Sequence, residues 1–512
     1  MARGPPGSNI TEMVSECSLL LTAGRLSKDS SDIIMAACSP KSDPRAQYRC
    51  IQQLIVSSPE FHTTNTMQRS GEPRAMLPST KGNSTKYKAI VQLFLAGGAD
   101  SYHMLAPHTC APINVYERFR AIRGKNSLSE GIGLTLEEML EINGNNPEQP
   151  CTKFGIHPNL SVLRDLYNVG DAAFIANAGL MAGPVDVNTY RQNMGSVQLF
   201  AHNDMTRETQ MEDIFQEHAG TGVQGRIASV LKGKGLSVNV FSISGTQVVN
   251  VGEVGGVTAY TMSSSGMSPF NSNPSITDMT NVIKNLNNAT KKDSGIFAET
   301  FASMFTDAIT SHEKLVTALA GVDVTTPFPS SSIAQQLKAV CSIMKSRANR
   351  GVERDLFYVS QGGYDTHSDM QANLVSNFFD LNEALSSFVT EVKAQGIWDD
   401  VTVTQYSEFS RTLDPNTGGG SDHAWAGHHF HIGGGLAGGK VRGLYPEDFE
   451  QSPSNPIALS RGRMIPTYPW DAMWAGTAEW FGIEDGPEMD YVLPMRSNFD
   501  NTYNAAELYG AL

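Results

Sequence analysis

Acidic and imidazole side chains follow several short apolar segments of this chain, and side chains of these types can bind a divalent metal ion. Asp100 comes after one apolar run and two glycines, Asp365 and His367 come after a second run, and Glu408 comes after a third. Carboxylate and imidazole together form a ligand set for divalent cations, and imidazole favours zinc or manganese over magnesium. A single such residue is usually a turn or capping residue, but repeated positions of this kind favour a metal site.

A later glycine-rich segment carries more residues of the same chemistry. It contains the pair Asp422-His423 and, a few residues on, His428, His429 and His431. The pair alone would be weak evidence for a metal site. A short histidine run in a glycine-rich loop is often only surface, and among these three histidines we single out His428 as the candidate metal ligand.

The periodicity of the chain predicts an α/β domain that could bring these residues together. Short β-rich runs recur at residues 87–96, 172–178, 236–244, 355–360 and 401–407. Between the last two runs, six apolar residues from Leu374 to Val392 recur in steps of four and three, which places them on one face of a helix. Alternating strands and helices predict a largely parallel central sheet with helices on both faces. Because the carboxyl ends of parallel strands share one edge, we predict that Asp100, Asp365, His367 and Glu408 meet there.

Composition divides the chain into three parts. Residues 1–62 have helical periodicity but are too few to hold much of a core alone. Residues 63–86 are polar and contain proline and glycine, which predicts a linker. Residues 87–512 form the predicted main domain, interrupted by a loop-rich excursion at 245–280.

Charge and motif content exclude several classes of protein. The chain has 512 residues, and 38 Lys and Arg against 52 Asp and Glu give a net charge of −14. Without a block of basic residues to neutralise phosphates, we expect no nucleic-acid partner. No segment approaches the roughly 18 consecutive apolar residues of a membrane helix. The six cysteines include no Cys-x-x-Cys pair, and the glycine clusters lack the Gly-x-Gly-x-x-Gly spacing of a dinucleotide site.

Six segments match those of a known family in the same order: Leu93–Ser101, Ile156–Leu160, Gly362–His367, Ser407–Arg411, Asp422-His423 and Gly438–Pro446. On these segments, residues 87 to about 447 resemble the bacterial family called domain of unknown function 1501, whose members are placed in the alkaline phosphatase/sulfatase superfamily. The resemblance implies an alkaline-phosphatase-like fold with metal ligands at strand ends. It implies a site built from Asp100, Asp365, His367, Glu408, Asp422 and His423.

One position departs from what the resemblance implies about mechanism. Superfamily hydrolases attack with a Ser, Thr or modified Cys beside the metal, and in this family the candidate is a Ser-His pair. Here the serine position is Ala201, followed by His202. We interpret His202 as a ligand or general acid. The nucleophile is then Thr206, Ser101 or water, unless the covalent chemistry is absent.

Residues 18–75 resemble the tail of a second uncharacterised family, number 1800, which is often encoded beside the first. One interpretation is that the chain is the back end of a longer fused polypeptide, which would also account for the lack of an N-terminal signal sequence. Proteins of this kind are commonly exported, so the resemblance implies an extracellular or periplasm-like location.

Two hypotheses of different classes follow. The first is a metal-dependent hydrolase of phosphate or sulfate esters. It would hold one or two ions of zinc, manganese, magnesium or calcium and act on an anionic small-molecule or polysaccharide ester. Arg411 would bind an anionic oxygen of that substrate, or pair with Glu408 on the same turn. The second hypothesis, motivated by Ala201, is a non-catalytic metal-binding or envelope protein on the same fold.

Overall fold

The computed structural model describes residues 9–64, 85–124, 131–194, 197–253, 257–264, 279–288 and 295–510. Most of the predicted linker at 63–86 and part of the predicted excursion at 245–280 lie outside these residues. The described residues form two compact units. One contains residues 9–64, 279–288 and 295–320, and the other contains the described residues from 85 to 264 and from 321 to 510.

The helices, in chain order, are α1 (Ile10–Thr22), α2 (Lys28–Cys38), α3 (Pro44–Val56), α4 (Pro59–His62), α5 (Val115–Gly124), α6 (Ser161–Val169), α7 (Tyr190–Asn193), α8 (His202–Met211), α9 (Val223–Gly233), α10 (Thr280–Asn288), α11 (Ile296–Leu319), α12 (Ser332–Lys345), α13 (Arg347–Arg350), α14 (Met370–Ala394), α15 (Asp471–Phe481), α16 (Pro487–Val492) and α17 (Ala505–Tyr509).

The strands are β1 (Lys88–Leu95), β2 (Ala106–Cys110), β3 (Leu140–Asn143), β4 (Cys151–Ile156), β5 (Ala172–Gly179), β6 (Val238–Ser242), β7 (Tyr260–Thr261), β8 (Arg354–Gln361), β9 (Val401–Tyr406), β10 (Gly427–Ile432), β11 (Val441–Gly443), β12 (Ala458–Leu459), β13 (Arg463–Met464) and β14 (Tyr468–Pro469). The five β-rich runs predicted from the sequence correspond to β1, β5, β6, β8 and β9.

The smaller unit is helical and consists of α1 to α4 with α10 and α11. Each of the first three helices begins at a side-chain cap, because Asn9, Ser27 and Asp43 accept hydrogen bonds from backbone N–H groups of the first turn. A disulfide joins Cys38 at the end of α2 to Cys50 in α3. Within residues 10–62, α1 to α4 account for most of the chain.

Helices α10 and α11 differ from the predicted domain organisation. The prediction placed all residues after 86 in one domain, whereas Met279, Ile283 and Ile309 pack in the same apolar cluster as Ile34 and Ile51 of the N-terminal helices. The spacing of apolar residues predicts that a helix has a face to bury. It does not predict which other helix will cover that face.

A nine-stranded sheet forms the centre of the larger unit, in the order β11-β5-β10-β9-β1-β8-β6-β7, with β14 also paired to β5. Strand β1 pairs in parallel with β8 and β9, and β6 pairs in parallel with β8. Strand β10 is antiparallel to both of its neighbours, β5 and β9. The predicted α/β class with a largely parallel central sheet is confirmed.

Helices pack on both faces of this sheet. Residues of α9 and α15 share an apolar core with Ile90 of β1 and Leu356 of β8. The next residues along these strands, Val91 and Phe357, point to the opposite face, since side chains alternate along a strand. Helix α12 packs against β8 and α14. The six apolar residues that predicted one helical face, from Leu374 to Val392, are all buried in α14.

Two smaller sheets complete the larger unit. Strands β2, β4 and β3 form an antiparallel sheet in which a disulfide joins Cys110 to Cys151. Strands β12 and β13 form a short antiparallel pair. Within the described part of the chain, every helix is too short or too polar to span a lipid bilayer.

Candidate metal centre

The carboxyl edge of the central sheet carries most of the predicted site residues. Strand β8 leads at this edge into Asp365 and His367, and β9 leads into Glu408. Since β10 runs antiparallel to β9, the segment before β10 reaches the same edge and carries His423. His202 is the first residue of α8.

Four donor atoms meet at this edge: Nε2 of His202, Nε2 of His367, Nε2 of His423 and Oδ1 of Asp365. Nε2 of His423 lies 3.1 Å from that of His202 and 3.0 Å from that of His367. The Asp365 oxygen lies 3.3 Å from His423, 3.1 Å from His367 and 3.4 Å from His202. Donors about 2.0–2.2 Å from one tetrahedral cation lie about 3.3–3.6 Å apart. His202, Asp365 and His423 each offer one ligand atom within 4.8 Å of the others, and Nε2 of His367 lies beside His423 and Asp365.

The other nitrogen of each ring already has a partner. The Nδ1 atoms donate to oxygen acceptors, from His202 to Glu408 at 2.8 Å, from His367 to Asp422 at 2.9 Å and from His423 to the backbone carbonyl of Phe200 at 2.7 Å. A carboxylate or carbonyl oxygen can only accept, so each Nδ1 carries the proton. A neutral imidazole with its proton on Nδ1 presents a lone pair at Nε2.

When all three rings are neutral, three nitrogen lone pairs and one carboxylate oxygen face one another with no proton between them. A divalent cation at their centre would replace this repulsion by attraction. Metal-binding histidines also characteristically donate their second nitrogen to a carboxylate or carbonyl oxygen, which is the pattern seen here on all three rings. The chemistry of the donor set thus fits one divalent cation, and its imidazole content favours zinc or manganese.

The family of the protein follows from its sequence. The profile of the family described as protein of unknown function (DUF1501) matches residues 87–460. The chain belongs to the DUF1501 family. No curated protein matches it. The match begins at residue 87, so the resemblance of residues 18–75 to a second family stays a prediction.

Two solved structures resemble this DUF1501 protein. One is the lipoteichoic acid synthase LtaP from Listeria monocytogenes, with 8% sequence identity, a TM-score of 0.30, and coverage of 83% of this chain and 79% of LtaP. The other is Ps i-CgsB, with 11% identity, a TM-score of 0.30, and coverage of 81% and 77% respectively. Such TM-scores do not establish a shared fold, so the fold described above rests on the sheet topology of this chain.

Glu408 and Asp422 lie behind the four donors in this DUF1501 protein, although both were predicted as ligands. Oε1 of Glu408 accepts from His202 and from the backbone N–H of Gly97 at 2.9 Å. Asp422 accepts from His367 through Oδ1 and from Arg461 through Oδ2. Both carboxylates are therefore occupied in orienting ligand rings. The hydrogen bond to Glu408 raises the pKa of His202, whereas burial lowers the pKa of His423.

Arg411 is buried and holds Asp365 in place. Its Nε donates to the backbone oxygen of Gly98 at 2.8 Å, its Nη1 donates to that of Ser421 at 3.1 Å, and its Nη2 donates to Gly97 and to Asp365 Oδ1. These bonds use four of the five N–H groups of the guanidinium and leave one on Nη1, so the binding of a substrate oxygen by Arg411 stays a prediction. Burial alone would raise the pKa of Asp365, but the hydrogen bond and charge of Arg411 outweigh it and lower the pKa to about 2.

Asp100 lies outside the donor group. Its carboxylate and the guanidinium of Arg123 are fully buried and form two hydrogen bonds, at 2.9 and 2.8 Å. Burial alone would raise the pKa of Asp100, but the charges of Arg123 and His103 hold it well below its usual range. Asp100, which was predicted as a metal ligand, is thus part of a buried ion pair. Its partner, Arg123, is 23 residues away in the sequence but adjacent in the structure.

His428 is also outside the group. It is fully buried in β10, its ring stacks on Tyr445 with centroids 4.4 Å apart, and its Nδ1 accepts from the backbone N–H of Asn177. His429 and His431 are buried as well, although the sequence suggested a surface run. The glycine-rich loop ends before these residues, and the strand that contains them lies in the middle of the sheet.

The candidate nucleophiles are not next to the donors. Ser101 is buried and shares a hydrogen bond of 2.8 Å with Ser410. Thr206 lies one turn after His202 in α8, and no hydrogen bond joins it to the four donors within the described residues. Ala201 is the N-cap residue of α8 and offers no side-chain oxygen.

Three residues near the centre were missed by sequence reasoning. Phe200 has φ of +69°, which is unusual for a bulky residue, and its carbonyl accepts from His423. Arg461 and Arg463 contact Asp422 and His423. Two arginines within three residues were a visible signal, but no pattern connected them with the strand ends.

Proposed function

We propose that the protein is a metal-dependent hydrolase of phosphate or sulfate esters, with one divalent cation bound by His202, His367, His423 and Asp365. The observation that carries the proposal is the convergence of three Nε2 atoms and a carboxylate oxygen, each ring being held by an acceptor at Nδ1. When bound, such a cation acts as a Lewis acid toward an ester oxygen. The resemblance to the alkaline phosphatase/sulfatase superfamily supports the choice of phosphate or sulfate esters.

Solvent access supports a catalytic rather than a closed structural centre. The side chain of Asp365 is 48% exposed and that of His367 is 47% exposed, while His202 and His423 are 32% and 24% exposed. A structural zinc site is normally closed on all sides by its protein ligands, whereas a catalytic site leaves room for substrate. An anionic small molecule or a polysaccharide ester can approach this edge of the sheet.

Water is the proposed nucleophile. No serine, threonine or cysteine side chain lies within hydrogen-bond distance of the four donors in the described part of the chain, and the position before His202 is Ala201. In a direct displacement, the water oxygen forms the new bond to phosphorus or sulfur and the bond to the leaving alcohol breaks. A proton from the water ends on that alcohol or in solvent, so no covalent enzyme intermediate forms.

The second candidate is a non-catalytic metal-binding or envelope protein, and Ala201 is the observation that favours it. The two candidates differ in the effect of Ala201→Ser, which restores the hydroxyl expected in the family. If the parent hydrolyses esters and the substitution changes little, the non-catalytic candidate is wrong. If activity appears only in Ala201→Ser, the parent has lost its covalent chemistry.

The test combines metal analysis with turnover. The purified protein is loaded in turn with zinc, manganese, magnesium and calcium, bound metal is measured by mass spectrometry, and hydrolysis of aryl phosphate and aryl sulfate is followed. We expect one bound ion per chain and turnover that a chelator abolishes. Absence of bound metal and of turnover with all four ions would end the proposal.

An extracellular or periplasm-like location is part of the proposal. The disulfides Cys38–Cys50 and Cys110–Cys151 support it, because disulfides persist mainly in oxidising compartments. Thiol counting on the protein as isolated from its host, with and without reductant, tests this: both pairs should be oxidised before reduction.

A further inference from the structure

Two arginines lie against the donor group on the side of Asp422 and His423. Arg461 lies in the turn between β12 and β13, and Arg463, one glycine later, is the first residue of β13. Arg461 donates to Oδ2 of Asp422, whose Oδ1 accepts from the ligand His367. Arg463 donates through Nε to the backbone oxygen of His423 at 2.7 Å. Each guanidinium group is thus in contact with a ligand or with the carboxylate that orients one.

The turn that carries Arg461 is closely held. Arg461 has φ of +65°, a left-handed conformation that is unfavourable for a residue with a Cβ atom and is concentrated at functional sites. Its backbone oxygen accepts from the N–H of Asp414, and that of Gly462 accepts from Leu413, both at 3.3 Å. A Cβ atom at Gly462 would lie 2.7 Å from Cβ of Leu413, so the turn packs tightly against that segment.

Each of the two guanidinium groups keeps at least one N–H group that donates to no described residue. Arg463 uses Nε for His423 and Nη1 for the backbone oxygen of Ser460, which leaves Nη2. Arg461 uses Nη1 for Asp422 and Nη2 for the backbone oxygen of Asp414 at 3.4 Å, which leaves Nε. The side chain of Arg461 is 34% exposed, so solvent and ligands can reach it.

The charges of this region favour an anion of charge −2. Burial and the neighbouring charge of Arg461 both lower the pKa of Arg463, so the two cations repel each other. Arg411 pairs with Asp365 and Arg461 pairs with Asp422. Glu408 pairs with His202, and Arg463 donates to backbone oxygens and to no carboxylate of the described residues. By number, the three carboxylates match the three guanidinium groups. A divalent cation in the centre would then leave two positive charges without a counter-charge.

We propose that Arg461 and Arg463 bind the non-bridging oxygens of a phosphate monoester dianion at the metal centre. The inference rests on the proposed function and narrows it to one substrate class. Guanidinium groups match phosphate oxygens in geometry and make charge-assisted hydrogen bonds to them. A dianion balances the two positive charges, whereas a sulfate monoester, which carries a single negative charge, does not.

The test compares two ligands of nearly the same shape and different charge. Methyl phosphate, which is a dianion at pH 8, and methyl sulfate, a monoanion, are titrated into the zinc-loaded protein by calorimetry. Arg463→Met and Arg461→Gln remove the charges but keep most of the side-chain volume. Arg442→Met is the matched control, because Arg442 also donates to backbone carbonyls and lies 5.5 Å from a ring, that of Tyr503, as Arg463 lies 5.4 Å from Phe200.

We expect methyl phosphate to bind at least about tenfold more tightly than methyl sulfate, and each site variant to weaken methyl phosphate binding by about tenfold or more with zinc retained. Arg442→Met should have no effect. Equal affinity for the two ligands, or unchanged affinity in the zinc-loaded variants, overturns the inference. Loss of zinc from both site variants also overturns the inference, because the arginines would then stabilise the metal site and not bind the substrate. Failure of the zinc-loaded parent to turn over any ester refutes the proposed function alone, because this test measures binding.

Discussion

Nε2 of His367 lies 3.0 Å from Nε2 of His423, although each ring already donates its Nδ1 proton to an oxygen. Two neutral rings in this state cannot form a hydrogen bond with each other, since neither Nε2 carries a proton. His202 adds a third nitrogen at 3.1 Å from His423, and its Nδ1 likewise donates to an oxygen. A divalent cation at their centre would satisfy all three nitrogens together.

Removal of one donor should abolish metal binding. His423→Ala takes away the ring whose Nε2 is nearest to the other two nitrogens, which leaves two imidazoles and a carboxylate. We expect bound zinc to fall from one equivalent per chain to a small fraction, as measured by mass spectrometry after dialysis. His108→Ala, on β2 and outside the donor group, is the control and should retain the full equivalent. Full zinc content in His423→Ala would show that the ion lies elsewhere.

Glu408 should affect metal affinity without being a ligand. Its carboxylate accepts a hydrogen bond from Nδ1 of His202. A hydrogen-bond partner behind a metal-binding histidine typically contributes about 10–100-fold to metal affinity. Glu408→Gln should therefore weaken zinc binding by about that factor in a competition assay with a chromophoric chelator and still allow one equivalent at saturation. Glu383→Gln, on α14, should leave the affinity unchanged. Complete loss of binding in Glu408→Gln would instead make Glu408 a ligand.

Asp100 should matter for stability and not for metal content. Asp100→Asn leaves the buried guanidinium of Arg123 without its counter-charge, and such a loss typically costs about 3–5 kcal/mol of unfolding free energy. Urea denaturation measures the loss, and zinc analysis on the folded protein should still give one equivalent. The double variant Asp100→Leu/Arg123→Met removes both charges and should recover part of the stability. Loss of zinc in a folded Asp100→Asn protein would return Asp100 to the ligand set.

Acid should destabilise the protein through its buried histidines. Burial lowers the pKa of His157, His428 and His431 to about 3, whereas the pKa of a histidine in the unfolded chain is about 6.5. The neutral ring is thus favoured by folding, so its contribution to stability is complete above pH ~6.5 and is lost progressively as the pH falls toward about 3.

This pH dependence can be measured by urea denaturation at several values from pH 7.5 to pH 4, with a chelator present so that metal release does not contribute. We expect the unfolding free energy to fall steadily across this range. His431→Gln should flatten the profile because it removes one titrating ring, and His62→Gln, at an exposed position in α4, should not. A parent profile that is flat below pH 6 would contradict the assigned burial of these rings.

The location of the site at the carboxyl edge of the sheet could be predicted from the sequence. The apolar run that became β8 ends a few residues before Asp365 and His367, and the run that became β9 ends just before Glu408. Hydrophobic periodicity predicts such strands, and parallel pairing brings their carboxyl ends to one edge. His423 reached the same edge by a different route, at the start of an antiparallel strand, which the periodicity of β10 does not reveal.

The different roles of these residues could not be predicted from the sequence. Asp365 and Asp422 are the same residue type, yet Asp365 faces the three nitrogens while Asp422 holds one ring from behind. Asp100 resembles both in its sequence context but is paired with Arg123. The role of each carboxylate depends on the side chain that it contacts, and that side chain belongs to a distant part of the chain.

The α/β class, the strands and the chemical character of one edge of the sheet could be predicted from the sequence, because they follow from local periodicity and residue type. Only the folded chain shows which atoms meet: the orientation of each ring, the exclusion of Asp100 and His428, and the approach of Arg461 and Arg463. Coordination depends on differences of a few tenths of an ångström between donor atoms. Such differences are set by hydrogen bonds between residues far apart in the chain, and no local pattern encodes them.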